Sequence, residues 1–331
     1  MEFESDGIDT VFNALTDAQN NITGVTVSNV ATSNFFDTIS KIKLVAKSDV
    51  CVFHRMYDIN SLILMFYCAL FNKKYVLFPH SAFTSKSQEK SKYKKILLRF
   101  LAHDYLIKKA SAIHYLTEDE KESSFPSVEK YFIIPNGITV PEIDEYQNDG
   151  FLYLSYLGRY DINHKGIDLL IEAIGLNKEL FENSNVKLVM HGYFSNSSDR
   201  QKLGDLISEN HVENIIVVND AIFGEDKIKF IQQSLAYVLT SRYEGMPLSV
   251  LEALSLNKFC LLTKGTNMEE LIISNSWGLC SETNIESISN MLFNFISNYN
   301  ELRHINSKYI IKEMYSWNNI ANELSEKYKK I

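Results

Sequence analysis

The segment SRYEGMPLSVLEALSLNKFCLLTKGTN, residues 241–267, contains a turn, a predicted helix and a second apolar segment. It follows the apolar run LAYVLT, residues 235–240, which is typical of a buried β-strand. Pro247 suits the first position of a helix, where its missing N–H has no effect, and leucines follow at roughly helical spacing. The order strand, loop, helix, strand predicts one unit of a parallel α/β sheet.

Two carboxylates, Glu244 and Glu252, flank the start of this predicted helix. Glu244 precedes the helix in a tight Glu-Gly turn, and Glu252 lies on the second turn. A helix start has free backbone N–H groups, and these favour anions. Because carboxylates accept hydrogen bonds from hydroxyls, the pattern suits a ligand with both phosphate and hydroxyl groups. A sugar nucleotide has both.

Ten apolar runs recur along the chain, with predicted helices between them. Their apolarity is continuous rather than alternating, which indicates strands buried on both faces of a parallel sheet. They are GVTVSNV, VCVFH, KYVLFPH, AIHYLT, YFIIP, FLYLSYLG, VKLVMHG, NIIVVN, LAYVLT and FCLLTK. The polar, acidic segment at residues 141–150 interrupts this pattern as a linker would. We therefore expect two doubly wound α/β domains, residues 1–140 and 151–314, facing each other across a cleft.

The composition is that of a globular protein. A length of 331 residues favours about two domains, and the contents of 45% hydrophobic and 22% charged residues are ordinary. The longest apolar run, residues 61–71, is too short to span a membrane, and the acidic N-terminus does not resemble a signal peptide, so we expect a cytoplasmic protein. Four widely spaced cysteines argue against a zinc site and a disulfide framework. The formal net charge is −8, and we expect no nucleic-acid partner.

Polar side chains follow several of the predicted strands, where ligands of open parallel sheets bind. These residues are His80, Arg159, Lys165, His191 and Glu244. Each has an ordinary structural interpretation when taken alone, because a histidine at a strand end is usually a satisfied structural group and a loop cation is usually solvated. Their joint occurrence favours a functional cleft.

The motifs resemble those of the GT-B glycosyltransferases of family four, which are retaining enzymes that use sugar nucleotides. IPNGI (134–138), LGRYDINHKGIDLLIEA (157–173) and SRYEGMPLSVLEAL (241–254) are similar to the family's second-domain motifs. The PHSAF loop and the segments ASAIHYLTEDEKE and YSWNNIANELSEKY also resemble family features. The resemblance implies a GT-B fold with two Rossmann-like domains, in which a C-terminal helix, residues 315–331, returns to the N-terminal domain.

The resemblance also implies roles for individual residues. Arg159 and Lys165 would clamp the donor diphosphate, where two cations neutralise charge growing on the leaving group. Glu252 would bind the ribose hydroxyls, Glu244 would contact the transferred sugar, and His80 would lie near the reacting carbon. The other expected donor-binding residues are Gly7, Gly158, His191, Gly192, Gly245, Met246, Pro247 and Leu248.

The expected chemistry needs no metal ion or cofactor. No Asp-x-Asp motif occurs in the sequence, so the diphosphate is expected to be held by basic side chains. The resemblance implies attack by the acceptor on the face from which the diphosphate leaves. The sequence contains no obvious Ser/His/Asp or Cys/His nucleophilic arrangement. Frequency within the family favours a uridine donor, while the sugar, the acceptor and the linkage stay open.

The N-terminus departs from the family pattern. The family begins with a β-strand and a Gly-Gly loop, whereas only MEFES precedes DGIDTVFNALTDAQ here. Gly7 would be the remaining loop glycine. Either the first strand is very short, the sequence begins late, or the site is impaired. A second interpretation is therefore a catalytically impaired subunit that supports a partner glycosyltransferase, and a third is a sugar-nucleotide epimerase of the same architecture.

The segment Lys86–Lys109 is strongly basic, with eight Lys or Arg against Glu89 and Asp104. Apolar residues recur in it at helical spacing, which predicts an amphipathic helix with a basic face. One interpretation is a solvated helix packed on its sheet. The other is a peripheral contact with the inner face of an anionic membrane, which would deliver a lipid-linked glycan acceptor for surface-polysaccharide biosynthesis.

Overall fold

The protein folds into two compact units. The computed structural model describes residues 7–30, 35–89, 104–125, 129–142 and 150–331. Unit 1 contains residues 1–137 and 315–331, and unit 2 contains residues 138–314. The first division thus lies between Gly137 and Ile138, a few residues before the segment 141–150 that the sequence suggests as a linker.

Helices and short strands alternate along both units. In unit 1, up to its C-terminal return, they are α1 (Gly7–Asn20), α2 (Phe35–Lys47), β1 (Val50–Phe53), α3 (Ile59–Leu70), β2 (Lys74–Leu77), α4 (Ser85–Glu89), α5 (Asp104–Lys109), β3 (Ala112–Tyr115), α6 (Glu118–Ser123) and β4 (Tyr131–Ile133). In unit 2 they are β5 (Tyr153–Leu157), α7 (Ile167–Leu176), α8 (Lys178–Asn183), β6 (Lys187–Gly192), α9 (Ser197–Glu209), β7 (Ile216–Asp220), α10 (Gly224–Gln233), β8 (Ala236–Leu239), α11 (Leu248–Ser255), β9 (Cys260–Thr263), α12 (Glu269–Ser274), β10 (Gly278–Ser281), α13 (Ile285–Ser297), α14 (Tyr299–Leu302) and α15 (Lys308–Met314). The last helix, α16 (Trp317–Lys330), belongs to unit 1.

The sheet of unit 1 has four parallel strands in the order β1-β2-β3-β4. Alternate side chains enter different cores, because successive residues of a strand point to opposite faces. Tyr75 and Leu77 pack with Met65 of α3 on one face. Val76 faces the other side, in the core that includes Leu15 of α1 and Leu324 of α16. The C-terminal helix therefore packs in the unit that begins the chain.

The sheet of unit 2 has six parallel strands in the order β10-β9-β8-β5-β6-β7. The chain runs outward from β5 through β6 to β7. It then returns to β8, on the other edge of β5, and runs outward again through β9 to β10. This reversal creates a topological switch point between β5 and β8, which is where doubly wound sheets bind ligands.

Nine of the ten predicted apolar runs contain a strand, and the prediction for GVTVSNV is wrong. Residues 25–30 have no strand pairing within the described part of the chain, and no residue of the run is buried. The backbone N–H of Val27 donates instead to Asn20 Oδ1 at 2.8 Å. A strand requires a hydrogen-bonding neighbour, and this segment has none among the described residues.

The strand β10 is missing from the sequence-based prediction. Its segment GLCS contains only four residues, and the run is too short and too weakly apolar to stand out. It nevertheless pairs with β9 along all four residues. The segment therefore forms a strand because it pairs with β9.

Three further expectations concern membrane contact and thiols. Among the described helices, none combines the length and apolarity needed to cross a bilayer. All four cysteines are free thiols. Residues 90–103, the middle of the predicted amphipathic segment, lie outside the described residues, and the ends of that segment belong to α4 and α5.

We expect Gly166→Ala to destabilise unit 2. Gly166 has a left-handed backbone, with φ of 61°, and an added Cβ would overlap with the Thr240 carbonyl oxygen. The loss should be about 1–3 kcal/mol in the free energy of unfolding, measured by chemical denaturation. Gly204→Ala is the matched control, because this glycine lies inside α9 with open space around it, and it should be neutral or stabilising by about 0.5–1 kcal/mol. Equal denaturation midpoints for the two variants would contradict the argument that the backbone conformation and close packing at Gly166 require glycine.

Candidate functional site

Two loops meet at the switch point of unit 2. One follows β5 and includes residues 158–166, and the other follows β8 and includes residues 240–247. The Arg242 backbone N–H donates to the His164 carbonyl at 2.9 Å, and Thr240 Oγ1 donates to the Gly166 carbonyl at 3.0 Å. The loops are adjacent because β5 and β8 are neighbours in the sheet.

Lys165 and Glu244 form an ion pair between these loops. Lys165 Nζ lies 2.6 Å from Glu244 Oε1, and the two side chains are only 16% and 12% exposed. Ser241 Oγ donates to the same carboxylate oxygen at 2.7 Å, and Asn267 Nδ2 donates to the Glu244 backbone carbonyl at 2.6 Å. Glu244 is therefore fixed through one oxygen, and no described residue donates to Oε2. The described hydrogen bonds therefore leave Oε2 unused.

The Glu244 carboxyl group is ionised at neutral pH. Burial raises its pKa, but the charges of Lys165 and His164 and the hydrogen bonds from Lys165 and Ser241 outweigh burial, so its pKa lies below the ordinary value. An ionised carboxylate only accepts hydrogen bonds. Glu244 is thus suited to hydroxyl groups of a ligand.

His164 lies between Arg159 and Glu244. Burial lowers the pKa of its imidazole despite the carboxylates of Glu244 and Asp161, so the ring is neutral at pH 7. Its Nε2 lies 2.9 Å from the Tyr243 carbonyl oxygen, which can only accept, and the ring proton is therefore assigned to Nε2. Nδ1 is then the acceptor, and it lies 3.5 Å from Arg159 Nη2.

Arg159 has donor groups that the described residues do not use. Its Nη2 lies 3.7 Å from Asp161 Oδ2, and the side chain is about a third exposed. Its Nε is buried without a hydrogen-bond partner among the described residues. A buried N–H without an acceptor destabilises a fold by about 1–3 kcal/mol. An anionic oxygen of a ligand would satisfy such a group.

A second arginine, Arg242, is fully engaged in holding the two loops together. Its Nη1 and Nη2 each lie 2.7 Å from an oxygen of Asp168, which is the two-point geometry of a strong ion pair. Nη1 also donates to the Asn163 carbonyl at 2.7 Å. Arg242 therefore has a positioning role, and Arg159 and Lys165 are the candidates for binding an anion.

Gly158 and Gly192 bring the ends of β5 and β6 into close backbone contact. An added Cβ on Gly192 would overlap with the Gly158 carbonyl oxygen. Next to them, the His191 carbonyl accepts from the Gly158 N–H at 3.1 Å, and His191 Nδ1 lies 2.8 Å from the Asp220 carbonyl oxygen. The three predicted residues thus border the β5 loop, and the His191 ring is bound to the end of β7.

Helix α11 begins at Leu248, so the prediction that Pro247 is its first residue is wrong by one position. Pro247 has an extended backbone, with ψ of 121°, and no side chain caps the helix. The predicted N–H groups of Gly245, Met246 and Leu248 lie along this turn and helix start. Because the first N–H groups of a helix have no intrahelical partner, this region suits an anion.

Glu252 lies on the second turn of α11, as predicted, and is paired with Lys227. Lys227 Nζ of α10 is 2.7 Å from Glu252 Oε1. Both side chains are about three-tenths exposed. The carboxylate is therefore accessible to a ligand while Lys227 restricts its orientation.

His80 and Gly7 belong to unit 1. His80 follows β2 with a left-handed φ of 46°, its ring is stacked on Phe78, and its Nε2 lies 2.9 Å from His54 Nδ1. Burial lowers the pKa of His80 well below its ordinary value, and the charges of His54 and His114 act in the same direction. The ring is therefore neutral at pH 7. Gly7 is the first residue of α1 and the first described residue.

Sequence reasoning missed several residues that contact the predicted site, and four of them contact its ionised groups or the residues around them. His164 and Ser241 lie inside the motifs and could have been found by their position next to Lys165 and near Glu244. Lys227 comes from another segment, and Asn267 lies at the far end of the segment that begins at Ser241, beyond the paired-glutamate motif. Asn267 reaches Glu244 from a turn after β9, where it has a left-handed φ of 56°.

The site combines two cations with an ionised carboxylate. Among the described residues there is no group of three or more His, Cys, Asp or Glu that could hold a metal ion. Arg159 and Lys165 can bind anionic oxygens, while Glu244 accepts from hydroxyls. The arrangement can therefore hold a ligand that carries both kinds of group.

Comparison with known sequences identifies a family and two relatives. The sequence profile of the family Glycosyl transferases group 1 matches residues 143–313. The uncharacterised glycosyltransferase MJ1059 of Methanocaldococcus jannaschii is 29% identical over 204 residues, which cover 56% of this chain and 47% of the relative. The uncharacterised glycosyltransferase MJ1607 of the same organism is 29% identical over 171 residues, 50% of this chain and 42% of the relative. The chain spans about half the length of these curated relatives.

Solved structures show the same fold at low identity. Anabaena HepE, in complex with UDP and glucose, has a TM-score of 0.75 at 13% identity, over 99% of this chain and 97% of that chain. Sucrose-phosphate synthase from Thermosynechococcus elongatus has a TM-score of 0.71 at 15% identity, over 88% of this chain and 76% of that chain. The lipopolysaccharide outer core galactosyltransferase WaaB has a TM-score of 0.66 at 15% identity, over 98% of this chain and 96% of that chain. These likenesses confirm the GT-B α/β fold class expected from the sequence.

The matched part of the chain contains every site residue of unit 2, from Gly158 to Asn267. It also contains the switch point at which the loops after β5 and β8 meet. The profile covers just over half of the chain. This protein therefore belongs to the Glycosyl transferases group 1 family.

Proposed function

We propose that the protein is a retaining glycosyltransferase. It moves a hexose-type sugar from a nucleotide diphosphate donor, with a UDP-sugar favoured, to a glycan or lipid-linked glycan acceptor in surface-polysaccharide biosynthesis. The observation that carries this proposal is the cluster of Arg159, His164, Lys165 and Glu244 at the switch point of unit 2. The family to which the chain belongs supports the same activity.

The two cations would bind the donor diphosphate. An ammonium group has three N–H donors, so Lys165 can contact a phosphate oxygen and keep its hydrogen bond to Glu244. Arg159 has unused donors nearby. Cations in a partly buried site stabilise the charge that grows on the diphosphate as the glycosidic bond breaks. We propose that this role requires no metal ion.

The carboxylates would bind the hydroxyl groups of the donor. Oε2 of Glu244 is open to the transferred sugar, since the described hydrogen bonds to this carboxylate end on Oε1. Glu252 would accept from the ribose hydroxyls while it stays paired with Lys227. Each hydrogen bond to a charged group is worth about 1.5–3 kcal/mol.

The proposed reaction retains the anomeric configuration. The bond between the anomeric carbon and the diphosphate oxygen breaks, and the acceptor oxygen forms its bond on the same face. The acceptor proton passes to the leaving phosphate oxygen. His80, which is neutral at pH 7, would lie against the sugar near the reacting carbon as the family resemblance implies. Water exclusion from the site would favour transfer over hydrolysis.

The structural relatives support the donor and the pathway that we propose. HepE is described in complex with UDP and glucose, and WaaB is a galactosyltransferase of the lipopolysaccharide outer core. These properties belong to those proteins. They favour a uridine nucleotide and a surface glycan for the present chain.

An exposed apolar and basic face supports peripheral contact with an anionic membrane. Phe36 of α2 is 83% exposed, and Ile39, Lys43 and Lys47 lie on the same side of that helix and are also exposed. Aromatic and basic side chains on one helix face are typical of interfacial helices. The basic segment Lys86–Lys109 would add to this attraction by about 1 kcal/mol per residue near the surface.

We expect Lys165→Ala and Glu252→Ala each to lower transfer by about 100-fold or more, because each removes a donor contact at the reacting nucleotide. The measurement is the rate of nucleoside diphosphate release with acceptor present. Lys178→Ala is the control, since Lys178 lies on α8 outside the motifs, with a side chain that is 38% exposed and 4.0 Å from Glu182. Undiminished turnover in correctly folded variants would contradict these roles.

We expect donor hydrolysis or transfer with UDP-sugars, and we expect it to survive excess EDTA. The purified protein is incubated with a panel of sugar nucleotides, and free nucleoside diphosphate is measured, with UDP and GDP affinities compared by calorimetry. Tighter GDP binding would reverse the donor assignment. Loss of turnover in EDTA, restored by manganese or magnesium, would show that a metal ion holds the diphosphate. Donor binding without turnover would favour the impaired-subunit interpretation.

We expect the protein to sediment with anionic vesicles and to bind less as salt is added, because salt screens exposed charges. Binding should fall in Phe36→Ser and when Lys90, Lys92, Lys94 and Lys95 are changed to Ser. Tyr309→Ser is the control, because Tyr309 is 70% exposed in unit 2. Equal binding to neutral vesicles, or binding to neither kind, would contradict contact with an anionic membrane and would favour the interpretation of the basic segment as solvated.

A further inference from the structure

The loop that presents His80 is held by a buried carboxylate that the sequence analysis does not single out. Glu120 of α6 is completely buried. Its Oε1 lies 2.5 Å from the Ser81 backbone nitrogen, and its Oε2 lies 2.7 Å from the Leu116 backbone nitrogen. Ser81 follows β2 and Leu116 follows β3, so one side chain joins the ends of two neighbouring strands.

The backbone that Glu120 holds is unusual. His80 and Ser81 are consecutive non-glycine residues with positive φ, at 46° and 65°. A left-handed conformation costs about 1–2 kcal/mol for each such residue. The turn is closed by the Ala82 N–H, which donates to the Pro79 carbonyl at 2.9 Å. The hydrogen bond from the Ser81 N–H to Glu120 offsets part of the strain.

The imidazole of His80 is held separately from its backbone. It is stacked on Phe78 with ring centres 3.8 Å apart, and its Nε2 lies 2.9 Å from His54 Nδ1. These two contacts hold the ring in the orientation that the structure shows. We expect a change of the backbone at Ser81 to disturb both contacts.

Glu120 contributes little to the net stability of the fold. Burial raises its pKa to about 7, although both backbone hydrogen bonds act to lower it. No cation of the described residues forms an ion pair with Glu120, and a buried carboxylate in such surroundings adds little net stability, because its desolvation opposes its hydrogen bonds. The geometry that it imposes on Ser81 is therefore the better explanation of its presence.

We propose that Glu120 is a positioning residue, which holds the Ser81 amide and thereby sets the orientation of His80, the side chain to which the proposed function assigns contact with the transferred sugar. This inference rests on the proposed function, because the orientation of His80 affects catalysis only in a protein that transfers a sugar. Glu120 acts through the loop and makes no contact with substrate in this assignment.

The test is Glu120→Gln, which keeps the size of the side chain. The amide offers one acceptor oxygen, and its NH₂ group would face the other backbone N–H. We expect kcat to fall by about 10- to 100-fold while KM for the donor stays within about twofold, because misplacement of a reacting group affects the chemical step. Glu118→Gln on the same helix is the control, since its side chain is 63% exposed, and it should leave both values unchanged.

Two measurements decide the assignment without activity. In the NMR spectrum of histidine-labelled protein, Glu120→Gln should shift the His80 ring resonances and leave those of the exposed His211 unchanged. In the unaltered protein, the Ser81 amide should exchange as slowly as core amides. Unshifted His80 resonances together with unchanged kcat, or rapid exchange at Ser81, would overturn the proposal. Absence of turnover in the unaltered protein would instead count against the proposed function, and the NMR and exchange results would still decide the positioning role.

Discussion

The strand order of unit 2 is the constraint on which its site depends. The reversal between β5 and β8 places two loops side by side, and only this adjacency allows Lys165 and Glu244 to meet at 2.6 Å. Removing one partner from a largely buried ion pair costs about 3–5 kcal/mol, because the other charge is left uncompensated. The ion pair between Lys165 and Glu244 therefore both stabilises the two loops and places the charged groups of the site.

Two buried glutamates show how surroundings decide the state of a carboxyl group. Glu244 lies beside Lys165 and His164, and its pKa is lowered despite burial. Among the described residues, two backbone N–H groups donate to Glu120, and burial raises its pKa to about 7. The Glu244 carboxyl group is ionised at pH 7, and the described hydrogen bonds to it end on one oxygen. Both oxygens of Glu120 accept hydrogen bonds from backbone N–H groups. These surroundings agree with the roles that we propose, ligand binding for Glu244 and loop positioning for Glu120.

Much of the fold was predictable from periodicity. Continuous apolar runs indicated nine of the ten observed strands, because strands buried on both faces of a parallel sheet must be apolar throughout. The same rule predicted a strand at GVTVSNV, where the chain is exposed and unpaired within the described residues. It also missed β10, whose four residues become a strand only through pairing with β9. Local sequence indicates the tendency to form a strand, and the neighbouring strand decides whether it forms.

The sequence by itself determined the residue types of the site and their place after strands: Arg159 and Lys165 beyond β5, and Glu244 beyond β8. It did not determine their partners. His164 is neutral because it is buried, Glu252 is paired because α10 brings Lys227 beside α11, and Ser81 is held because α6 places Glu120 under the His80 loop. Burial and long-range contacts set charge state and orientation, and these exist only once the chain has folded, because the interacting groups lie far apart in sequence.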